Sequence, residues 1–220
     1  MSGVDLFEFL PDRRVPSRFY ADYAKRGFDL AVAPMLLALS LPLLALASAA
    51  LLMRGQSPVF VHRRIGRHGR SFACFKLQTM HTDAAERLRA LLDSSAHAAE
   101  EWERRRKLSH DPRIHPLGRI LRRTSIDELP QLWNVIRGEM SLIGPRPITG
   151  EELRGYGDRA EAYKRLRPGI TGLWQVSGRN RLSFAERAAF DADYAGRLCF
   201  SLDLSILART VRVVLSCSGT

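Results

Sequence analysis

Two arginines and two carboxylates are packed into the short run Arg122-Arg123-Thr124-Ser125-Ile126-Asp127-Glu128-Leu129-Pro130. Adjacent carboxylates can hold a divalent cation, and one of them can attack a phosphoryl group. Guanidinium groups beside them neutralise the charge of a diphosphate and of its transition state. Asp127 and Glu128 are therefore the candidate catalytic and metal-holding pair. Three further arginines sit in stiff or permissive settings: Arg146 in Gly144-Pro145-Arg146-Pro147, Arg167 in Arg167-Pro168-Gly169, and Arg179 in Gly178-Arg179-Asn180. Prolines stiffen such loops, and glycines let backbone amides approach an anion. Arg122, Arg146, Arg167 and Arg179 are the candidate phosphate-binding residues.

A purely structural reading of the same carboxylates stands beside this one. Ser125 and Glu128 have the S-x-x-E spacing of a capping box. With Ser125 as the N-cap, Pro130 falls where its missing N–H is felt. With Asp127 as the N-cap, Pro130 falls at the third helical position and no bond is lost. Asp127 could simply cap a helix. The two readings share a geometry, because a helix start offers free N–H groups and partial positive charge to a phosphate.

The elements around this run follow from periodicity. Val59 to Phe75 alternates VFVH and SFACF about the turn signal Gly66-Arg67-His68-Gly69, which predicts a hairpin. Thr82 to Leu108 has helical spacing, with Ser94-Ser95 able to divide it. Helices are expected over Leu117–Arg123, from near Asp127 to before Gly138, over Glu151–Arg165, and over Ser183–Tyr194 with Phe184, Ala188 and Phe190 as core positions. A last helix, Asp203–Ser216, puts Leu204, Leu207, Val211, Val214 and Leu215 on one face, opposite Arg209 and Arg212. That face belongs in the core or in a membrane interface.

Leu30 to Met53 is free of charge. As a helix it reaches roughly 36 Å, enough to cross a bilayer with tilt. Pro34 and Pro42 interrupt it, and arginines and lysines flank both ends: Arg13, Arg14, Arg18, Lys25 and Arg26 before, Arg54, Arg63, Arg64, Arg67 and Arg70 after. Positive flanks favour the cytoplasmic side at both ends. A helix that bends at Pro42 and returns to the same face satisfies both, with Ser40 available to bond a carbonyl freed at the bend. A plain spanning helix, a buried core helix and a secretory signal are the competing readings. The long charged leader and the internal prolines weigh against the signal.

The chain has 220 residues, 45% hydrophobic and 26% charged, with a formal net charge of +11. That charge favours anionic partners. No nucleic-acid motif or aromatic–basic alternation is present, and an uncharged 30–53 segment has no role in a soluble nucleic-acid binder. Such a binder, or a basic membrane-surface scaffold, is the rival class, and detergent dependence would discriminate it. Cys74, Cys199 and Cys217 are dispersed, with no zinc or disulfide spacing, which fits a reducing compartment.

Three motifs, HRRIGRHGRSFACFKLQTM (62–80), DPRIHPLGRILRRTSIDELPQLWNVIRGEMSLIGPRP (111–147) and RPGITGLWQVSGRN (167–180), together with Lys25-Arg26-Gly27-Phe28-Asp29, resemble the monotopic bacterial phosphoglycosyl transferases, also called bacterial sugar transferases. The similarity runs from Lys25 to the C-terminus and is nearest to the short members that start exopolysaccharide synthesis. It implies transfer of a hexose 1-phosphate from a UDP-sugar to undecaprenyl phosphate with release of UMP, and Mg2+ at the dyad. In the family the aspartate of the dyad is the nucleophile, which here is Asp127. The family's dyad-preceding, GPRP and GRN arginines match Arg122, Arg146 and Arg179. Its re-entrant membrane helix breaks at a Ser-Pro pair; here Pro42 follows Leu41, and Ser40 lies one place earlier.

The expected fold is thus mainly α with a small β-hairpin. It is a monotopic membrane protein with a Pro-broken re-entrant helix, amphipathic interfacial helices and a compact cytosolic catalytic domain. Residues 1–24 would be an N-terminal extension, 25–54 the membrane helix and 55–220 the catalytic domain. The expected location is the cytoplasmic face of the bacterial inner membrane. Expected partners are UDP-hexose, undecaprenyl phosphate, membrane lipid and the pathway's downstream glycosyltransferases, with no nucleic acid; a homodimer is compatible with this reading. The transferred sugar is not legible, with galactose or glucose favoured by the resemblance.

Overall fold

The uncharged run forms the first long element. In the computed structural model, which describes residues 19–105, 108–177 and 182–215, helix α1 (Lys25–Leu52) continues from a π-helical turn at Tyr20–Ala24. At 1.5 Å per residue α1 is about 42 Å long. By length and composition it could cross a membrane. Helical backbone is assigned straight through Pro34 and Pro42, so the expected break is not an interruption of the helix. Ser40 Oγ donates to the Leu37 carbonyl at 2.9 Å. Pro42 frees the carbonyl four residues back, on Ala38, so Ser40 satisfies the neighbouring carbonyl and not the freed one.

Both ends of α1 are fastened to the rest of the protein. Near its start, Lys25 Nζ donates to Asp203 at 2.6 Å, and Arg26 donates to the carbonyls of Val135 and Ile136 at 2.6 and 3.0 Å. The Asp29 carboxylate accepts from Ser141 Oγ and from the Leu142 N–H. Near its end, Ala47 and Leu51 are buried against Leu77 and Leu121. Between these two attachments Leu39, Leu41 and Leu46 are 72%, 56% and 69% exposed, an apolar stretch with no partner among the described residues.

The hairpin forms as its alternation predicts. Strands β1 (Val59–Ile65) and β2 (Ser71–Leu77) pair antiparallel, from Val59 opposite Leu77 to Ile65 opposite Ser71. His68 and Gly69 turn the chain with φ of 60° and 73°, the left-handed region in which glycine carries no Cβ penalty. Helices α2 (Ala84–Ser94) and α3 (Ala96–Arg105) follow, divided at Ser95 as expected. Helix α4 (Pro116–Arg123) is capped by His115, whose Nδ1 accepts from the Gly118 N–H at 2.8 Å, with Pro116 at its first position.

A helix starting near Asp127 is not what the chain forms. Ile126–Glu128 is a single 3-10 turn, and α5 begins only at Gln131 and runs to Ile136. Neither Ser125 nor Asp127 caps anything. Ser125 sits in the left-handed region (φ 59°), and no side chain caps either the 3-10 turn or α5. The helix expected over Glu151–Arg165 is likewise divided, into α6 (Gly150–Arg154), a 3-10 turn at Gly157–Arg159 and α7 (Ala160–Lys164). Gly157, at φ 52°, is the interrupting residue.

Two three-residue strands, β3 (Ser141–Ile143) and β4 (Gly169–Thr171), pair in parallel. They are too short to show alternation in sequence. Helices α8 (Leu173–Ser177), α9 (Phe184–Arg197) and α10 (Phe200–Leu215) complete the fold. The main core gathers Leu132, Val135, Met140, Ile143, Leu173, Trp174, Tyr194, Leu202 and Ile206. Ala188 and Phe190 are buried as expected, whereas Phe184 is 36% exposed and packs edge-on against Tyr156. On α10 the buried face is Leu202, Asp203 and Ile206. Of the apolar stripe read from the sequence, Leu207 packs against the core, whereas Leu204, Val211 and Val214 are exposed.

Candidate active site

The hairpin supplies one wall of the site. Period-two alternation places Arg64, Cys74 and Lys76 on one face, because Arg64 is paired with Phe72, and His62 with Cys74. The outer edge of β2 is held by α5: Asn134, fully buried, donates Nδ2–H to the Ala73 carbonyl at 2.7 Å and accepts from the Phe75 N–H at 3.1 Å. A side-chain amide thus stands in for a third strand. It also fixes the distance between the hairpin and the turn that carries Asp127 and Glu128.

The opposite wall comes from the loops after β3 and around β4. These loops are built on glycines that admit no side chain. A Cβ on Gly172 would lie 2.1 Å from the Gly144 carbonyl oxygen, and one on Gly169 would lie 2.1 Å from the Gly144 nitrogen. Backbone meets backbone there, which holds the Gly144-Pro145-Arg146-Pro147 loop against β4 and α8. A shallow cleft open to solvent lies between the walls. Its lining includes Arg64, Lys76, Glu128, Gln131, Arg146 and Gln175.

Glu128 lines this pocket and accepts a hydrogen bond from Lys76 Nζ at 2.6 Å. The adjacent Asp127 is 7% exposed and is not itself part of the pocket lining. Burial pushes its carboxyl up to about 6, and the adjacent Glu128 charge adds to the rise. Lys76, Arg122 and Arg146 pull the other way. Arg122 reaches Thr79 Oγ1 through Nε at 2.9 Å. Its guanidinium is depressed by burial, an effect that Asp127 opposes. Arg64 is tied to Glu152 at 3.1 Å, at the capped start of α6. Burial raises the Cys74 thiol, while Lys76 and Arg64 oppose the rise.

The structure therefore brings together Asp127, Glu128, Arg122 and Arg146. It places Arg167 elsewhere: its Nε donates to the Gly138 carbonyl at 2.9 Å, and its charged neighbours are Arg67, Arg26 and Asp29. Arg179 lies outside the described residues. Lys76, Arg64, Gln131 and Gln175 were not singled out as site residues. For Lys76 a signal existed, since strand alternation puts it beside Cys74 on the face that Arg64 shares. Gln131 and Gln175 come from separate segments, and no local pattern marks them.

As a donor set, Asp127 and Glu128 fit a magnesium ion. Mg2+ is commonly bound by one or two carboxylates and completed by substrate phosphates and water. Two adjacent carboxylates, one of them buried and raised by the other, are a pair whose repulsion a cation relieves. Lys76, Arg122 and Arg146 are all felt at Asp127, and with Arg64 and Lys76 in its lining the pocket has the character of an anion site.

A pocket lined by Glu128, Lys76, Arg64 and Arg146, in a chain with a helix apolar enough to cross a membrane, suits an enzyme acting on phosphates. Residues 20–217 match the model of the bacterial sugar transferase family, and the chain belongs to that family. It is 44% identical over 213 residues to the exopolysaccharide production protein ExoY of Rhizobium meliloti, covering 96% of this chain and 94% of the relative. It is 43% identical over 197 residues to the undecaprenyl-phosphate galactose phosphotransferase of Salmonella typhimurium, covering 90% of this chain and 41% of that longer protein. A third relative, 38% identical over 200 residues, is the undecaprenyl-phosphate glucose phosphotransferase of Komagataeibacter xylinus, of which 35% is covered. The chain spans about two fifths or less of these two phosphotransferases and nearly all of ExoY.

Proposed function

We propose that the protein transfers a hexose 1-phosphate from a UDP-sugar to undecaprenyl phosphate, releasing UMP and starting an exopolysaccharide. The observation that carries this reading is Asp127: a buried carboxylate, not used as a helix cap, within electrostatic reach of Lys76, Arg122 and Arg146. Relatives of this chain act, by name, on undecaprenyl phosphate or in exopolysaccharide production.

In the first half-reaction an Asp127 oxygen attacks the phosphorus that bears the sugar. The phosphoanhydride bond breaks and UMP departs with the bridging oxygen, leaving a phospho-sugar on the aspartate. In the second half-reaction an oxygen of undecaprenyl phosphate attacks the same phosphorus and frees Asp127. Arg122 and Arg146 neutralise the phosphate oxygens, and Lys76 holds Glu128 in place. Asp127 and Glu128 would hold Mg2+, which when bound supplies further neutralisation of the diphosphate. Glu128 also stands where it can assist proton movement from the acceptor.

In this proposal helix α1 enters and leaves the bilayer on the cytoplasmic side by bending at Pro42 while its helical backbone continues. Support comes from its two attachments: Lys25, Arg26 and Asp29 at one end and Ala47 and Leu51 at the other all pack on the same catalytic body. A spanning helix separates its ends by a hydrocarbon layer of about 30 Å, and one body on one side cannot hold both. The exposed middle of α1 then lies among lipid, which keeps the pocket at the height of a lipid phosphate and raises its effective concentration.

The test is Asp127→Asn with a UDP-sugar radiolabelled in the sugar. Wild type should release UMP without lipid acceptor and retain label on the protein, and the variant should do neither. Full transfer by the variant would end the covalent mechanism.

A further inference from the structure

We infer that Arg187 is a further substrate-binding residue, which with Arg146 clamps the phosphate that departs with the nucleotide. The inference rests on the donor named above. Arg187 lies on α9, outside the motifs that suggested the site. Its guanidinium carbon is 4.8 Å from the centre of the Trp174 ring, and that of Arg146 is 6.0 Å from the same ring. Two cations thus share one indole.

Neither guanidinium has a hydrogen bond or an ion pair among the described residues. Arg187 Nε is buried without an acceptor, and so is the Trp174 indole N–H beside it. Burial and the Arg146 charge both lower the Arg187 guanidinium from its ordinary value. A folded chain rarely leaves buried donors unmet, and the one carboxylate felt at Arg187, that of Glu152, is already bonded to Arg64 and to the Thr149 N–H. Stacking on the indole offsets part of this cost. The remainder calls for an anion that accepts from several planar donors at once, which is the chemistry of a phosphate.

Arg146 links this anion site to the reaction. It lines the pocket, and its charge is felt at Asp127 on one side and at Arg187 on the other. A donor diphosphate spans the same order: the sugar-bearing phosphorus toward Asp127, the nucleoside-bearing phosphate toward Arg187. Lys76 and Arg122 stand at the Asp127 end, so the second phosphate falls to Arg146 and Arg187. In that place Arg187 would steady the charge that builds on the departing UMP.

The test uses the full chain in detergent or nanodiscs as wild type, Arg187→Gln and Arg187→Lys. UMP release is measured against UDP-sugar and against undecaprenyl phosphate, with UMP and uridine as inhibitors. The Gln variant should raise the donor KM and weaken UMP inhibition by about tenfold or more, the scale of a charge-assisted bond. Uridine inhibition and the acceptor KM should stay unchanged, and the Lys variant should recover part of the loss. Since Arg187 has no bonded partner among the described residues and packs on the indole, its melting temperature should stay close to wild type. A donor KM and UMP inhibition within twofold of wild type would overturn the inference. So would a change confined to the acceptor KM, which would give the phosphate to the lipid, or a lowered melting temperature with both KM values moved alike. Inorganic pyrophosphate titrated calorimetrically probes the clamp without turnover: binding about tenfold weaker to the Gln variant supports it, and equal binding sinks it. A wild type that binds pyrophosphate through Arg187 but releases no UMP from any UDP-sugar would defeat the proposed reaction and leave the clamp standing.

Discussion

A carboxylate that caps a helix gives its oxygens to backbone N–H groups, and the turn at Ser125 denies Asp127 that role. Its ionisation is opposed by burial and by Glu128, and only cations offset this. The reactive form is the carboxylate, so the rate of UMP release in the first half-reaction should fall as pH drops through about 6. Glu128→Gln removes the adjacent charge and should move that acid limb to lower pH, read on the residual rate. The same group affects stability. A folded-state value of about 6, raised from 3.8, means the folded chain binds the proton more tightly than the unfolded one. Stability from Asp127 is therefore present at low pH and lost as pH rises through that interval, by about 3 kcal/mol at most. Asp127→Asn should melt higher than wild type at pH 8, and the gain should shrink at pH 5. A lower melting temperature at pH 8 would contradict this account of the site.

At the scale of elements, the site depends on how closely backbones approach and on what pins the helices. Gly172→Ala would drive a methyl into the Gly144 carbonyl, forcing β4 away from the Arg146 loop. Donor KM should rise and the melting temperature should fall; an unchanged KM would show that the loop does not depend on this contact. Asp203, 1% exposed, accepts from Lys25, Tyr20 and Tyr194, each at 2.6 Å. It ties α1, α9 and α10 together. Asp203→Asn removes the carboxylate bonded to buried Lys25 and leaves only Asp29 within electrostatic reach of it, and should cost up to about 3–5 kcal/mol, measurable by denaturant unfolding in detergent. Several elements were legible beforehand. The hairpin, the division at Ser95, α4 and α9 follow from local alternation, helical spacing and capping residues. The split of Glu151–Arg165 was missed because helical spacing runs on through Gly155 and Gly157, whose effect depends on a left-handed φ. The pair β3–β4 was missed because three residues carry no period.

For the whole molecule, the question is which side of the membrane each end of α1 occupies. Single cysteines placed at Asp22 and at Arg54, in a chain freed of its native cysteines, should both react with an impermeant maleimide from the cytoplasmic side only. Labelling of the two from opposite sides would establish a spanning helix and remove the topology proposed here. The exposed apolar residues of α10, with Trp133 on α5 and Ile120 on α4, are further candidates for contact with lipid.

The sequence by itself determined the dyad, the uncharged helix and the hairpin, because each is written in neighbouring residues: adjacent carboxylates, an unbroken apolar run, a period of two. It also marked Arg122 and Arg146. Only the tertiary structure decided that Asp127 caps nothing, that Arg167 serves the Gly138 carbonyl, and that Lys76 holds Glu128. It alone brought Arg187 onto the same indole as Arg146. These are contacts between segments far apart in the chain, fixed by glycine-to-backbone packing at Gly144, Gly169 and Gly172 and by the Asn134 amide on β2. No local pattern records where such a contact falls, since the distance between two segments is set by everything that packs between them.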